Sequence, residues 1–258
     1  MPPFRLLAPV LPALFALALC VTPAAVSAET FSDGQRGEIE TIVKNYLVSH
    51  PEVLEEAMNE LNKRQAAAEN EKHEASIVQN SDAIFNSPRN VTLGNKNGDV
   101  TFVEFFDYNC GYCKRAMSDM LDLMKSDPKL KVVLKEFPVL SEGSVEAAKV
   151  AVAVRMQDPG GAKYLDFHQK LLGGRGAADK ARALAAAKDA GLDVGRIEKD
   201  LASPEVKATI EENFKLAESM GMNGTPSYVI GKQVVVGVIG LDGLKEKIGV
   251  ARCGKATC

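Results

Sequence analysis

Apolar residues between positions 31 and 76 recur with the spacing of an amphipathic helix. They form one stripe, in which neighbours are three or four residues apart: Ile39, Ile42, Val43, Tyr46, Leu47, Leu54, Ala57, Met58 and Leu61. Pro51 interrupts the stripe, and proline can start a helix but not continue one. The pattern therefore predicts two helices with a break near His50, followed by a polar helical spacer over residues 63–72.

This apolar stripe needs a partner, because a single amphipathic helix cannot bury its own stripe. The partner is either the rest of the chain or a second copy of the same segment. We expect self-association, and a homodimer and a homotrimer both satisfy the pattern.

From about residue 87 the pattern predicts strands. Residues 91–93 and the almost continuously apolar run 100–106 flank Asn97-Gly98, which is the strongest short signal of a β-hairpin. Residues 110–126 have the spacing of a helix, and residues 130–137 that of a second buried strand. We expect this strand to lie parallel to residues 100–106, in a βαβ unit.

The rest of the chain is mostly helical in pattern. The alanine-rich region from about residue 142 to 221 predicts about four helices. A second hairpin is predicted for residues 227–230 and 233–238, with Gly231-Lys232 at the turn, and a final helix from about Leu241. The element order indicates an α/β fold with a helical insertion.

The first 28 residues have the layout of a secretory signal peptide. Arg5 precedes an apolar run, and small residues end the segment at Ala28. A transmembrane helix is disfavoured because the apolar run is short and contains Pro9 and Pro12. We therefore expect export, with cleavage after Ala28, to an oxidising compartment such as the periplasm.

The composition excludes several classes of protein. The chain has 258 residues, of which 46% are hydrophobic and 25% charged, which excludes a disordered protein. The net charge of −3 gives no general attraction for nucleic acid. Of the five cysteines, Cys20 lies in the signal segment, and the other four form two clusters that allow three pairings.

The cluster Cys110-Gly111-Tyr112-Cys113 lies where the buried strand ends and the helix begins. Unpaired N–H groups and the helix dipole stabilise a thiolate at such a position, lowering its pKa from ~8.5 into the range ~3.5–7.5. Cys110 would then attack a disulfide, and Cys113 would resolve the mixed disulfide. A zinc site is disfavoured because too few other ligands lie near, and a purely structural disulfide gains little from so short a loop.

Residues 104–113, Glu-Phe-Phe-Asp-Tyr-Asn-Cys-Gly-Tyr-Cys, resemble the active site of DsbA-like proteins. Residues 224–227, Gly-Thr-Pro-Ser, resemble the Thr–cis-Pro loop of the same family, and residues 31–70 resemble the oligomerisation region of the ScsC proteins, exported DsbA relatives. The resemblance implies a signal peptide (1–28), a helical oligomerisation arm with linker (29–85) and a thioredoxin-fold domain (86–258).

The resemblance also implies roles for individual residues. Pro226 would be cis and lie beside Cys110, leaving the Thr225 backbone free to pair with substrate, and Tyr112 would belong to the same substrate-binding surface. Glu104 would be a buried acid that relays protons for Cys113, or else a strand residue that faces solvent. The dipeptide Gly111-Tyr112 matches neither thioredoxin nor the strongest oxidants of the family, and Asn109 stands where the reducing members have an aromatic residue.

Several residues have a structural and a functional interpretation. We expect His168 to be a packed helix residue, and Cys253 and Cys258 to form a structural disulfide at the C-terminus. Met220 and Met222 would fill the core, or would help Cys110 and Cys113 to bind Cu(I). No other metal and no cofactor is expected.

These features lead to a functional hypothesis. The chain is expected to be a periplasmic disulfide isomerase that acts on misfolded or reduced secreted proteins. Its partner would be a membrane thiol reductant of the DsbD or ScsB type, which keeps Cys110 reduced. The alternatives are a monomeric dithiol oxidase and a Cu(I)-binding copper-tolerance protein.

Overall fold

The structure is a computed structural model that describes residues 31–258. The predicted signal peptide and Cys20 lie outside the described residues. The chain divides into two compact units, one ending at Asn59 and the other spanning Glu60–Cys258. None of the helices described from residue 31 onward is long and apolar enough to cross a membrane.

Two long helices open the described chain, α1 (Asp33–Ser49) and α2 (Glu52–Gln79), and the short α3 (Ser81–Phe85) follows. A capping box formed by Ser32 and Gln35 starts α1. The predicted break at His50 and Pro51 is confirmed. Helix α1 buries none of its residues, and α2 buries only Ile77, close to its C-terminal end.

A five-stranded mixed sheet forms the centre of the second unit. Its strands are β1 (Val91–Gly94), β2 (Val100–Phe106), β3 (Leu130–Glu136), β4 (Ser227–Ile230) and β5 (Gln233–Val236), in the order β1-β3-β2-β4-β5. Strands β2 and β3 are parallel, with α4 (Gly111–Ser126) between them in the chain, so the predicted βαβ unit is confirmed. The other three strand pairs are antiparallel.

The helical insertion contains five helices rather than about four. They are α5 (Glu142–Gln157), α6 (Ala162–Gly173), α7 (Lys180–Asp189), α8 (Val194–Asp200) and α9 (Pro204–Ser219). Gly191, with a φ of +73°, ends the turn after α7 and separates it from α8. The last helix is α10 (Gly240–Cys253), close to the predicted start at Leu241.

Each face of the sheet is covered by its own apolar core. Because side chains alternate along a strand, Phe102 and Phe106 of β2 face one core, whereas Val103 and Phe105 face the other. The first core is built with α4 to α8 and α10, and the second with the end of α2, α3 and α9. The predicted burial of β2 on both faces is confirmed.

The prediction of a β-hairpin at Asn97-Gly98 is wrong. Strand β1 pairs with β3 and not with β2, so β3 lies between the two strands that the hairpin would have joined. Neither Asn97 nor Gly98 has the positive φ that an Asn-Gly hairpin turn requires. Gly98 is needed for a close approach instead, because a Cβ there would lie 2.5 Å from the Lys129 carbonyl oxygen.

Candidate active site

Cys110 is the N-cap residue of α4. Its backbone is extended, with φ −81° and ψ 112°, and its sulfur accepts a hydrogen bond from the Cys113 N–H at 3.3 Å. A sulfur therefore occupies the position where a serine or aspartate oxygen usually caps a helix. Hydrogen bonding from the Cys113 side chain is the largest of the effects that lower the pKa of Cys110 to about 5. The Thr225 side chain and the N–H groups of Tyr112 and Cys113 add to it, and burial opposes it.

Cys113 has the opposite character. It lies one helical turn further on, is fully buried, and its pKa is raised by that burial. Both cysteines are free thiols in this structure. The pair therefore combines a sulfur that ionises readily with one that is held as a thiol, as a nucleophile and a resolving thiol would require.

The Thr225–Pro226 peptide bond is cis, and it lies beside Cys110. The Cys110 sulfur is 3.2 Å from the Thr225 carbonyl oxygen, although the two residues are 115 positions apart in the chain. The Gly237 N–H donates to the Pro226 carbonyl oxygen at 2.8 Å, which ties the loop to the segment after β5. The sheet thus brings the two sequence motifs together at one edge of the first core.

Glu104 lies in β2, on the same face as Phe102 and Phe106, beneath α4. It is 3% exposed, so it does not face solvent. Its burial raises the pKa of the carboxyl to about 8, with smaller contributions from the negative charges of Cys110 and Asp119. At neutral pH this carboxyl keeps its proton, and a thiolate at Cys110 favours that state.

Tyr112 occupies the exposed tip of α4. The residue is 58% exposed, and the Arg115 guanidinium lies 4.8 Å from its ring centroid. An open cleft of about 630 Å³ lies beside the motif and includes Cys110, Gly111 and Leu140 in its lining.

Asp107 was not singled out by the sequence reasoning. Its buried carboxylate accepts hydrogen bonds from the backbone N–H groups of Asn109 at 2.7 Å, Val139 at 2.9 Å and Leu140 at 3.0 Å. It therefore joins the loop that carries Cys110 to the loop after β3. Nothing local in the sequence indicates this contact, because Val139 and Leu140 follow more than 30 residues later.

A buried polar cluster lies behind Tyr108, and it too was not predicted. The Tyr164 hydroxyl donates to Glu136 at 2.6 Å, and the Tyr108 hydroxyl lies 3.4 Å from both Glu136 and the His168 Nδ1 atom. Burial lowers the pKa of His168 to about 3, so its imidazole is neutral. His168 is thus part of the core packing.

The remaining candidate residues lie elsewhere. A disulfide joins Cys253, the last residue of α10, to Cys258. Met220 and Met222 are buried in the second core, among Val103, Phe105 and Val229. Within residues 31–258 no three His, Cys, Asp or Glu side chains are clustered as metal ligands would be.

Comparison with known proteins agrees with this geometry. The profile of the DSBA-like thioredoxin domain matches residues 101–249, and that of the copper resistance protein ScsC N-terminal domain matches residues 35–68. Disulfide bond formation protein D from Bacillus subtilis is 26% identical over 192 residues, which is 69% of this chain and 85% of that protein. A Na(+)/H(+) antiporter NhaA from Herminiimonas arsenicoxydans is 28% identical over 140 residues, but the match spans only 21% of the antiporter's length.

Solved structures show the same relationship. A thioredoxin-like oxidoreductase from Silicibacter pomeroyi is 43% identical with a TM-score of 0.63, covering 66% of this chain and 96% of that one. A linker-deletion mutant of Proteus mirabilis ScsC is 27% identical with a TM-score of 0.64, covering 87% of this chain and 98% of the other. The chain therefore belongs to the DsbA-like family of thioredoxin-fold thiol–disulfide oxidoreductases and carries an N-terminal domain of the ScsC type.

Proposed function

We propose that this protein is an exported disulfide isomerase that acts in the periplasm on misfolded secreted proteins. The observation that carries the proposal is the placement of two neighbouring thiols beside a cis-proline loop. Cys110 caps α4, where its pKa is lowered, and Cys113 is buried in the core, where its pKa is raised. Cys110 and Cys113 are the proposed catalytic residues. Glu104 is proposed to support them, and Tyr112, Thr225 and Pro226 to contact the substrate.

In the proposed reaction the Cys110 thiolate attacks one sulfur of a wrong substrate disulfide. A new sulfur–sulfur bond forms with the enzyme, the substrate bond breaks, and the second substrate sulfur leaves as a thiolate. That thiolate, or another one in the substrate, then attacks a different position and finally displaces Cys110. The cycle returns the Cys110 thiolate, so isomerisation itself needs no net oxidant or reductant.

When the substrate does not react further, Cys113 attacks the mixed disulfide and releases the substrate reduced. The Cys113 thiol must lose its proton in this step, and its burial makes the loss unfavourable. Glu104 is the proposed acceptor for that proton. In the mixed disulfide Cys110 no longer carries the negative charge that helps to raise the pKa of Glu104, so the carboxyl ionises more readily at this step. The resulting Cys110–Cys113 disulfide has to be reduced again, and we propose a membrane dithiol reductant as the electron donor.

The arm supports isomerisation over simple oxidation. Helix α1 buries none of its apolar stripe, and the ScsC-type domain covers residues 35–68. A homodimer or homotrimer formed through this stripe would hold several active sites together. A misfolded chain bound at one site would then meet the next at a high effective concentration.

The test is the recovery of active ribonuclease from its scrambled, fully disulfide-bonded form. We expect the reduced wild-type protein to restore ribonuclease activity and Cys110→Ser to be inactive. A double replacement of Cys253 and Cys258 by serine is the control and keeps activity. Rapid oxidation of reduced ribonuclease, without any reactivation of the scrambled form, would instead identify the protein as a dithiol oxidase.

Copper binding is a second candidate, favoured by the copper resistance description of the matching N-terminal domain. A Cu(I) ion at this site would be held by the sulfurs of Cys110 and Cys113, because soft thiolates select Cu(I). The raised pKa of Cys113 opposes a dithiolate, so we expect weak binding. Titration with Cu(I) against a competing chelator tests this, and binding that outcompetes the chelator and is lost in Cys110→Ser would favour the copper role.

A further inference from the structure

The two residues that flank the Cys110–Cys113 motif both bond to the loop between α6 and α7. Before the motif, the Asn109 amide donates to the Ala178 carbonyl oxygen at 2.9 Å and accepts from the Ala178 N–H at 2.6 Å. After the motif, the Lys114 ammonium donates to the Gly174 carbonyl oxygen at 2.8 Å. The loop of residues 174–178, here called the clasped loop, is therefore held at both ends by the motif's neighbours.

The contact at Ala178 consists of two hydrogen bonds, which satisfy both backbone polar groups of that residue. The Asn109 amide also donates to the Ser144 hydroxyl at 2.9 Å, near the start of α5. Gly143 stands directly opposite, and a Cβ there would lie 2.7 Å from the Ala178 carbonyl oxygen. The absence of a side chain at Gly143 thus allows α5 to approach the clasped loop closely.

The clasped loop forms one wall of the cleft beside Cys110. Residues 174–177 line that cleft. The remaining lining residues are residues 108–111, Lys114, Leu140, Ser141, Leu171 and Leu172. Any substrate segment that enters the cleft while its cysteine reacts with Cys110 must contact this wall. The position of the wall depends on its hydrogen bonds to Asn109 and Lys114, which also line the cleft. Gly143 does not line the cleft and touches the wall only through Ala178, so a variant there tests the wall separately from any direct contact.

We propose that Asn109 and Lys114 are positioning residues that fix the clasped loop so that the cleft binds an extended stretch of substrate polypeptide next to the reacting cysteine. This inference rests on the proposed reaction of Cys110 with protein disulfides. In this inference Asn109 and Lys114 contribute to binding of the polypeptide and do not activate the Cys110 thiolate. Loosening the clasp then weakens binding of a peptide without changing the chemistry of Cys110.

The test compares two reactions of the reduced protein, one with a disulfide-linked peptide and one with the small neutral disulfide of 2-hydroxyethanethiol. In Asn109→Ala we expect KM for the peptide to rise about fivefold, the factor for the loss of roughly one net hydrogen bond. We expect kcat and the rate with the small disulfide to be unchanged. Amide hydrogen exchange at Ala178 should become faster.

Two further variants keep the test decisive if Asn109→Ala does not fold. Gly143→Ala displaces the Ala178 carbonyl from the other side, and Lys114→Met releases Gly174, so both should raise KM for the peptide alone. Asn95→Ala is the matched control, because Asn95 bonds the backbone of Asn97 and Pro128 in a turn on another part of the domain. It should leave both reactions unchanged.

Three outcomes would overturn the inference. Equal losses with both disulfides would show that the flanking residues act on the thiolate. An unchanged KM for the peptide with faster exchange at Ala178 would show that the loop does not contact substrate. Unchanged exchange at Ala178 would show that Asn109 does not hold the loop. In contrast, a wild-type protein that reacts with neither disulfide refutes the proposed function, and one that only fails to isomerise ribonuclease leaves this inference intact.

Discussion

At the scale of single residues, Cys113 controls the ionisation of Cys110. Its side chain provides the largest of the hydrogen bonds that lower the pKa of Cys110 to about 5. The alkylation rate of Cys110 should therefore reach half its maximum near pH 5 in the wild-type protein. Cys113→Ala removes the donor and should move the midpoint upward, towards that of a free cysteine at ~8.5.

Cys113→Ser is the matched control for this measurement, because its hydroxyl can still donate to the Cys110 sulfur. It should keep a midpoint well below that of the alanine variant. Mass spectrometry of the alkylated Cys110 peptide gives the midpoint in each protein. Equal midpoints in the wild type and both variants would show that the Cys113 side chain does not lower the pKa of Cys110. The N–H groups of α4 alone would then account for the low pKa.

Glu104 has a pKa that is raised on folding, and this predicts a specific dependence of stability on pH. Between pH 4.5 and about 8 the unfolded chain has lost the Glu104 proton while the folded chain keeps it, so this residue reduces stability as the pH rises. Glu104→Gln has no carboxyl to ionise at this position, so its stability does not fall with pH for this reason. The reduced variant should gain stability relative to wild type by up to about 1.4 kcal/mol per pH unit in this interval.

Urea denaturation at pH 5 and pH 8 measures the effect. Glu246→Gln, which alters an exposed carboxylate on α10, is the control and should show the same difference at both pH values. The same Glu104→Gln protein should exchange thiols more slowly, because a glutamine cannot relay a proton. A pH-independent stability difference together with unchanged exchange rates would rule out the buried-acid role.

At the scale of elements, the turn before β2 depends on a close backbone approach. A Cβ at position 98 would lie 2.5 Å from the Lys129 carbonyl oxygen and 2.6 Å from the Lys131 nitrogen. Gly98→Ala should therefore reduce the free energy of unfolding by about 1–3 kcal/mol. Gly195→Ala is the control, because the nearest atom to a Cβ there is an ordinary 3.4 Å away and alanine favours helix α8.

Urea denaturation of the two glycine variants shows whether the turn at Gly98 is fixed against β3. Equal stabilities of Gly98→Ala and wild type would mean that the turn can move away from β3. The result also bears on the hairpin that Asn97-Gly98 predicts, because a true hairpin turn would need glycine for its positive φ and not for its lack of a side chain.

The sequence allowed those elements to be predicted whose signals are local. The stripe of α1, the break at Pro51 and the apolar run of β2 each result from the spacing of neighbouring residues. The order of strands in the sheet depends on contacts between distant segments, so the local Asn-Gly signal pointed to the wrong partner for β1. The number of helices in the insertion was underestimated because α8 has only seven residues, too few to show a clear helical periodicity.

The same distinction applies to the site. The Cys110–Cys113 motif and the Thr225–Pro226 loop could be found because their residue types are specific and consecutive. The contacts of Asp107 and Asn109 could not, because their partners lie about 30 and 70 residues later in the chain. Only the tertiary structure shows that these two polar side chains join three loops around the motif.

At the scale of the whole molecule, the oligomerisation state is predicted to depend on the arm, because the apolar stripe of α1 is not buried within the described chain. Ile42 and Val43 lie in this stripe, and α1 buries neither. Replacing both with glutamine should shift the protein from an oligomer towards a monomer at micromolar concentration, as measured by sedimentation or light scattering. The same variant should reactivate scrambled ribonuclease more slowly, while the reaction of Cys110 with a small disulfide is unaffected.

The matched control replaces Thr41 and Asn45, which lie on the opposite face of α1, with glutamine. This variant should keep the mass and activity of the wild-type protein. A wild-type protein that is already monomeric, or a stripe variant that reactivates ribonuclease as well as wild type, would refute the role proposed for the arm.

The two outer strands of the sheet, β1 and β5, have only four residues each, whereas β2 and β3 have seven. Unfolded polypeptides contain extended segments that can add to any long unpaired strand, and repeated addition leads to aggregates. Short outer strands offer few consecutive free N–H and C=O groups for such growth. The short outer strands therefore protect this protein from co-aggregating with any unfolded polypeptide that it meets.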